Sequence, residues 1–280
     1  MTTAGEIKRI GVVGAGAMGR GIAQVFAIYD YAVILIDTEE AILQKALENL
    51  KEYTDPEIWS KVSNLIVTST DLEKLKDCDL IIEAVIEDLS TKKDVYKSIS
   101  KVCRKTAIIA TNTSSIPINK LAAEMAVPQR FIGMHFMNPP KVMKLVEIVR
   151  GVKTSQETVE AITELTKCID KIPAVVNDSP GFVSTRLLFA LIGEAIKLLE
   201  NTVASKEDID TIMKYGMNHP IGPIKLADFI GLDICLNIMQ VIYENSNDDR
   251  YKPSQLLEEL VKDGKLGKKT GEGFYKYTQA

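Results

Sequence analysis

Histidine is nearly absent from this 280-residue chain: there are two, His135 and His219. The four cysteines, Cys78, Cys103, Cys168 and Cys235, are far apart and form no CxxC pair. That scarcity argues against a metal site, because no zinc-ligand spacing can be assembled from these residues. It also reads as the reduced thiol content of a cytosolic protein. Long apolar runs are missing, so no membrane contact is expected. The opening "MTTAGEIKRIGVV" lacks the apolar core and cleavage site of a signal peptide, and the expected location is cytoplasmic. An excess of one charge is missing too. With 34 basic and 38 acidic residues the net charge is −4, which gives no general attraction to nucleic acid or an anionic membrane. What is present, 46% hydrophobic and 26% charged residues, is the composition of a soluble globular protein. The length suits one larger and one smaller domain.

The segment "IKRIGVVGAGAMGRGIAQVFAIYDYAVILID" reads as strand, glycine-rich turn, helix and strand. Gly14 permits the tight turn, Gly16 lets a pyrophosphate approach the backbone, and Gly19 lets the helix pack on the sheet. Ala17 and Met18, between the last two glycines, fall at the start of the helix, where unsatisfied N–H groups and the positive dipole end receive phosphate. Asp37 closes the second strand and suits the adenosine ribose hydroxyls. A carboxylate there repels a 2′-phosphate, and the following "TEEAIL" has no arginine to bind one, so NAD(H) is favoured over NADP(H).

Strands and helices go on alternating through "DLIIEAV" (79–85), "STKKDVYKSISKVC" and "TAIIATNTSS" (106–115), with Ser90 as the expected cap of the helix. The fold class expected is α/β, a Rossmann-type doubly wound parallel sheet followed by a smaller all-helical domain. Ligands in such sheets collect at the carboxyl ends of the strands, which draws Ala84, Glu87, Lys92, Asn112, Ser114 and Ser115 toward a crevice. "RFIGMHFMNPPKVMKLVEIVRG" (130–151) reads as two strands joined by a proline-containing loop. A hairpin-like return would bring His135 beside Glu147, a pairing used for proton transfer. The local pattern leaves open a structural imidazole, and it makes Glu147 in "KLVEIVR" read as a surface charge. Beyond "KIPAVVNDSPGF" the period becomes helical. Residues 182–199 are apolar nearly all round, so that helix is expected to face the larger domain or a second subunit. The boundary is set at 180, giving domains 1–180 and 181–280.

Taken together and in order, these segments resemble the short-chain L-3-hydroxyacyl-CoA dehydrogenases. The likeness spans nearly the whole length: "GVVGAGAMGRGIAQ", "IIEAVIED", "TNTSSI", "GMHFMNPPKVMKLVEIVRG", "DSPGFV", "NHPIGP", "DFIGLDICL" and "GKKTGEGFYKY". The resemblance implies a helical C-terminal domain that forms a homodimer, and NAD-dependent interconversion of L-3-hydroxyacyl-CoA with 3-ketoacyl-CoA. By it His135 is the general acid/base and Glu147 its carboxylate. Ser114 contacts the substrate carbonyl region, and Asn138 lies in the active-site loop. Glu87, Lys92 and Lys269 contact the cofactor, while His219 in "NHPIGP" is structural.

Two departures stand out. The family reads "PGF", two apolar residues, then Asn-Arg, whereas this chain reads "PGFVSTRLL", with Thr185 where the asparagine helps hold the thioester carbonyl. The segment "LKEYTDPEIWSKVSNL" (50–65) is shorter than the family's basic helical excursion, although Lys45, Lys51 and Lys61 are available to CoA phosphates. The acyl-CoA substrate therefore has two rivals: a non-CoA 3-hydroxy acid or sugar acid on the same fold, and a non-catalytic NAD-binding protein.

Overall fold

The computed structural model describes residues 4–277. The chain divides into two compact units, Met1–Ser179 and Pro180–Ala280.

The first unit is built on one eight-stranded sheet, ordered β3-β2-β1-β4-β5-β6-β7-β8. These strands are β1 (Arg9–Val13), β2 (Ala32–Ile36), β3 (Ile66–Ser69), β4 (Leu80–Glu83), β5 (Ile108–Thr111), β6 (Phe131–Phe136), β7 (Leu145–Arg150) and β8 (Ile172–Asn177). Neighbours from β3 to β6 run parallel, β7 pairs antiparallel with β6, and β8 follows β7 in parallel. β4, β5 and β6 are buried at every position, as strands covered on both faces must be. The helices of this unit are α1 (Ala17–Ile28), α2 (Glu40–Glu52), α3 (Pro56–Leu65), α4 (Leu89–Val102), α5 (Ile118–Ala122) and α6 (Gln156–Cys168). Ile10, Val12, Ile22, Phe26, Leu35 and Ile82 belong to its core. The cap of α4 is Asp88, whose carboxylate accepts the Thr91 N–H at 2.8 Å and the Ser90 hydroxyl at 2.7 Å. This corrects the expectation for Ser90: its hydroxyl serves the capping carboxylate, a stronger acceptor for the helix N–H groups.

The second unit comprises α7 (Ser184–Glu200), α8 (Lys206–Thr211), α9 (Pro223–Ile230), α10 (Leu232–Ser246) and α11 (Gln255–Lys262). "HPIGP", which reads as a break, supplies the start of α9, with Pro223 in the first turn, where proline loses no hydrogen bond. α7 packs on α9 and α10 and buries Phe189, Ile192, Ala195 and Ile196 within this unit, while Val183 and Leu187 stay exposed. The tail is held by two buried carboxylates. Asp228 accepts the Phe274 and Tyr275 N–H groups and the Tyr277 hydroxyl, and Asp210 accepts the Tyr275 hydroxyl and the Ile224 and Lys225 N–H groups. Gly273 fits because a Cβ there would stand 2.1 Å from Asp228 Oδ1. Among the described residues no single helix is long and apolar enough to cross a membrane.

Candidate active site

At the carboxyl end of β1 the chain turns at Gly14, which has φ of 102° and whose N–H donates to Ile36 O at 2.8 Å. A Cβ at Gly14 would lie 2.6 Å from Ala84 O, and one at Gly19 would lie 1.7 Å from Gly14 O. Both positions therefore exclude a side chain through contact with the protein's own backbone. Gly16 differs: a Cβ there would meet no protein atom within 4 Å. Gly16 is also the cap position of α1, and no side chain caps that helix. The first turn, containing Ala17 and Met18, thus keeps its N–H groups for an outside acceptor, as a dinucleotide diphosphate requires. Asp37, just past β2, is half-buried; its Oδ2 accepts Ala15 N–H at 2.6 Å and Oδ1 accepts Thr38 N–H at 2.7 Å. Two backbone donors leave a carboxylate acceptor capacity for hydroxyls. The residues present fit an adenine dinucleotide.

Across the sheet, β6 and β7 set His135 directly opposite Glu147 in register. His135 Nδ1 lies 2.8 Å from Glu147 Oε2, with the two residues 7% and 2% exposed. Glu147 is thus no surface charge. β7 has neighbours on both sides and its middle residues are buried, so the polar alternation that suggested exposure is overridden by its interior place between β6 and β8. A carboxylate can only accept, so Nδ1 carries the proton and Nε2 is the basic nitrogen.

Behind this pair, Asn112 follows β5; its N–H donates to Glu83 O, and its Oδ1 accepts Phe136 N–H at 2.9 Å. Glu87 holds the neighbouring loop: its Oε1 accepts the Thr113 hydroxyl at 2.5 Å, Ser114 N–H at 2.9 Å, and the Ser115 N–H and hydroxyl at 3.1 and 2.9 Å. Burial pushes the Glu87 carboxyl up, but the Lys92 ammonium and the loop donors outweigh it and hold it below its ordinary value. Lys92 is 1% exposed and lies between Glu83 and Glu87, at 2.6 and 3.3 Å, so it is an internal counter-ion and not an open cationic surface. Glu83, Tyr96, Thr111 and Thr113 belong to this cluster and escaped the sequence reading. The one available signal was an acidic residue ending the apolar run "DLIIE".

Asn138 is exposed in the loop after β6 and precedes Pro139 through a cis bond. The loop reaches α1, since a Cβ at Gly21 would stand 2.9 Å from Pro140 Cδ. Lys45 and Lys51 are exposed on α2, while Lys61 is engaged by Asp30 at 2.8 Å and by Ile28 O at 3.0 Å. In the second unit, Thr185 is the second residue of α7 and is buried. Lys269 Nζ lies 2.6 Å from Asp233 Oδ1. Burial pushes the Asp233 carboxyl up, and the contact with Lys269 together with backbone N–H donors more than reverses it. His219 is half-buried and its backbone N–H donates to Met213 O at 3.0 Å. No group of three or more His, Cys, Asp or Glu is arranged to hold a metal among the described residues.

A doubly wound sheet with an open glycine turn and a buried histidine–carboxylate pair has the frame of a nicotinamide-dependent dehydrogenase. Residues 9–179 match the family "3-hydroxyacyl-CoA dehydrogenase, NAD binding domain", and residues 181–277 match "3-hydroxyacyl-CoA dehydrogenase, C-terminal domain". A probable 3-hydroxybutyryl-CoA dehydrogenase of Deinococcus radiodurans is 47% identical, covering 96% of this chain and 100% of the relative. One of Bacillus subtilis is 45% identical, covering 98% and 99%. The crystal structure of (S)-3-hydroxybutyryl-CoA dehydrogenase from Ralstonia eutropha matches with a TM-score of 0.92 at 44% identity, covering 98% of this chain and 100% of that one. The chain belongs to the 3-hydroxyacyl-CoA dehydrogenase family, whose members are NAD-dependent oxidoreductases.

Proposed function

We propose that the protein interconverts (S)-3-hydroxybutyryl-CoA and acetoacetyl-CoA with NAD(H), as a cytoplasmic homodimer joined through its helical unit. The observation that carries this reading is the buried His135–Glu147 pair at 2.8 Å. Bound NAD(H) supplies the hydride acceptor or donor. Gly14, Gly16, Gly19 and the first turn of α1 would hold its diphosphate, and Asp37 its ribose hydroxyls, with Ala84, Glu87 and Lys269 as further contacts; Lys92, sealed between Glu83 and Glu87, would act on the cofactor only through Glu87. Preference for NAD(H) over NADP(H) follows from the negative charge of Asp37 and from Glu39 and Glu40 just beyond it.

With the hydride exchanged at C3, the chemistry asks the protein to move one proton at the C3 oxygen. In alcohol oxidation His135 Nε2 takes the hydroxyl proton; in ketone reduction it returns that proton to the oxygen. Glu147 on Nδ1 fixes the tautomer and stabilises the imidazolium while the proton is held. Ser114, Asn138 and Thr185 are assigned to the substrate, with Thr185 as donor to the thioester carbonyl. Lys45 and Lys51 are assigned to the CoA phosphates, and Lys61 less so because Asp30 already engages it.

The test is NADH oxidation with acetoacetyl-CoA, with free acetoacetate as control, on the native protein and on Thr185→Asn in parallel. Turnover of the thioester alone is expected. The asparagine variant should be faster by up to roughly 10², since one aimed donor to a developing oxyanion is worth about 10²–10³. A protein that binds NADH and leaves the thioester untouched would overturn the CoA assignment.

A further inference from the structure

Glu83 ends β4 with its side chain entirely buried. Its carboxylate accepts four bonds: Oε1 from Lys92 Nζ at 2.6 Å and Val85 N–H at 2.8 Å, Oε2 from Tyr96 OH at 2.5 Å and Thr111 Oγ1 at 2.8 Å. Tyr96 and Thr111 are themselves fully buried. The result is one ammonium shared by two carboxylates, closer to Glu83 than to Glu87. A buried ion pair is poor support for stability, because desolvating its charges offsets their attraction and apolar replacements often fold as well. The arrangement does, however, divide labour between the two carboxylates. Glu83 takes the near contact with Lys92, so Glu87 faces the ammonium with Oε2 and keeps Oε1 for the donors of residues 113–115.

We propose that Glu83 is a positioning residue for the reaction: by holding Lys92 away from Glu87 Oε1, it keeps the 113–115 loop, and Ser114 with it, in place for the substrate. The role assigned to Ser114 rests on the dehydrogenase reading above. Without the Glu83 charge, Glu87 is, among the described residues, the one carboxylate left within 4 Å of Lys92 Nζ. The ammonium then draws Glu87 toward itself and loosens the loop. Tyr96 and Thr111 act one step earlier, fixing the far oxygen of Glu83.

The experiment is a double-variant cycle on kcat/KM for acetoacetyl-CoA, using Glu83→Gln, Ser114→Ala and their combination. Glu83→Gln should lose roughly 10–100-fold alone and less than about threefold when Ser114 is already alanine, because groups that act as a unit are non-additive. Tyr96→Phe removes a single donor and leaves the charges intact. It should lose about three- to tenfold and show the same dependence on Ser114. It carries the cycle if Glu83→Gln does not fold. Losses that simply multiply, or no loss in either variant, overturn the positioning role while leaving the enzyme assignment standing. A native protein inert toward acetoacetyl-CoA overturns the substrate reading and this proposal together.

Discussion

Sheet register brings His135 to its carboxylate: they are opposite residues on antiparallel neighbours, and such side chains lie within direct reach. The sequence supplied the strand–loop–strand pattern and so the two candidates. It did not supply the burial of Glu147, which comes from the neighbours β7 acquires in the sheet. Glu147→Gln keeps an acceptor for Nδ1–H and removes the negative charge facing the imidazolium. We expect about a 10²–10⁴-fold fall in kcat with NADH affinity nearly unchanged, measured by steady-state kinetics and NADH fluorescence titration. Glu87 carries a pH dependence of its own. Its folded carboxyl lies below the ordinary value of 4.5, so its stabilisation is fully present above that value and is lost as pH falls through the lowered one. From about pH 6 to about pH 3, urea midpoints of the native protein should therefore fall more steeply than those of Glu87→Gln, whose amide does not titrate. Parallel curves would show that the carboxyl is not held down.

The same glycine fingerprint does two different jobs along α1. Gly19 is closed by the backbone oxygen of Gly14, whereas a Cβ at Gly16 would meet no protein atom within 4 Å. Gly19→Ala forces the helix off the sheet, and a loss of stability of about 1–3 kcal/mol or more is expected, with a lower melting temperature. Gly16→Ala should melt within a few degrees of the native protein and raise the Kd for NADH at least about tenfold, roughly 1.4 kcal/mol, because its methyl group occupies the diphosphate approach. Equal melting loss in both variants, with unchanged NADH binding in Gly16→Ala, would contradict this division. The turn at Gly14 and the close approach at Gly19 were legible because glycine spacing and flanking apolar runs are local signals. The Glu83–Lys92–Glu87 cluster was not, since its members are scattered from Glu83 to Ser115 and the packing of α4 beside the ends of β4 and β5 brings them together. The edge strands β3 and β8 likewise lack strong patterns of their own and depend on the partners they add to.

At the scale of the whole molecule, the change of period after residue 180 foretold a helical second unit, and it ends in a tail locked by Asp210 and Asp228. The all-round apolar character of 182–199 is met in part inside that unit, where α7 forms core contacts with α9 and α10. Besides Val183 and Leu187, large side chains stay uncovered just after α8: Ile212, Tyr215 and Met217 are 55%, 80% and 63% exposed. Large side chains grouped in this way are costly to leave in water, whereas scattered single ones are ordinary. A second copy of the chain offers the same group by symmetry, which is how a two-fold interface becomes self-complementary. Sedimentation at about 10 µM, a concentration at which a stable interface of ordinary affinity is saturated, should give twice the chain mass of 30.9 kDa. Replacing Tyr215 and Met217 together by lysine places like charges on both sides of the two-fold axis. That variant is expected at the single-chain mass, with the helical circular dichroism signal retained. A native protein that sediments as one chain would sink the dimer, and a lysine pair that leaves the double mass unchanged would move the interface elsewhere on the helical unit.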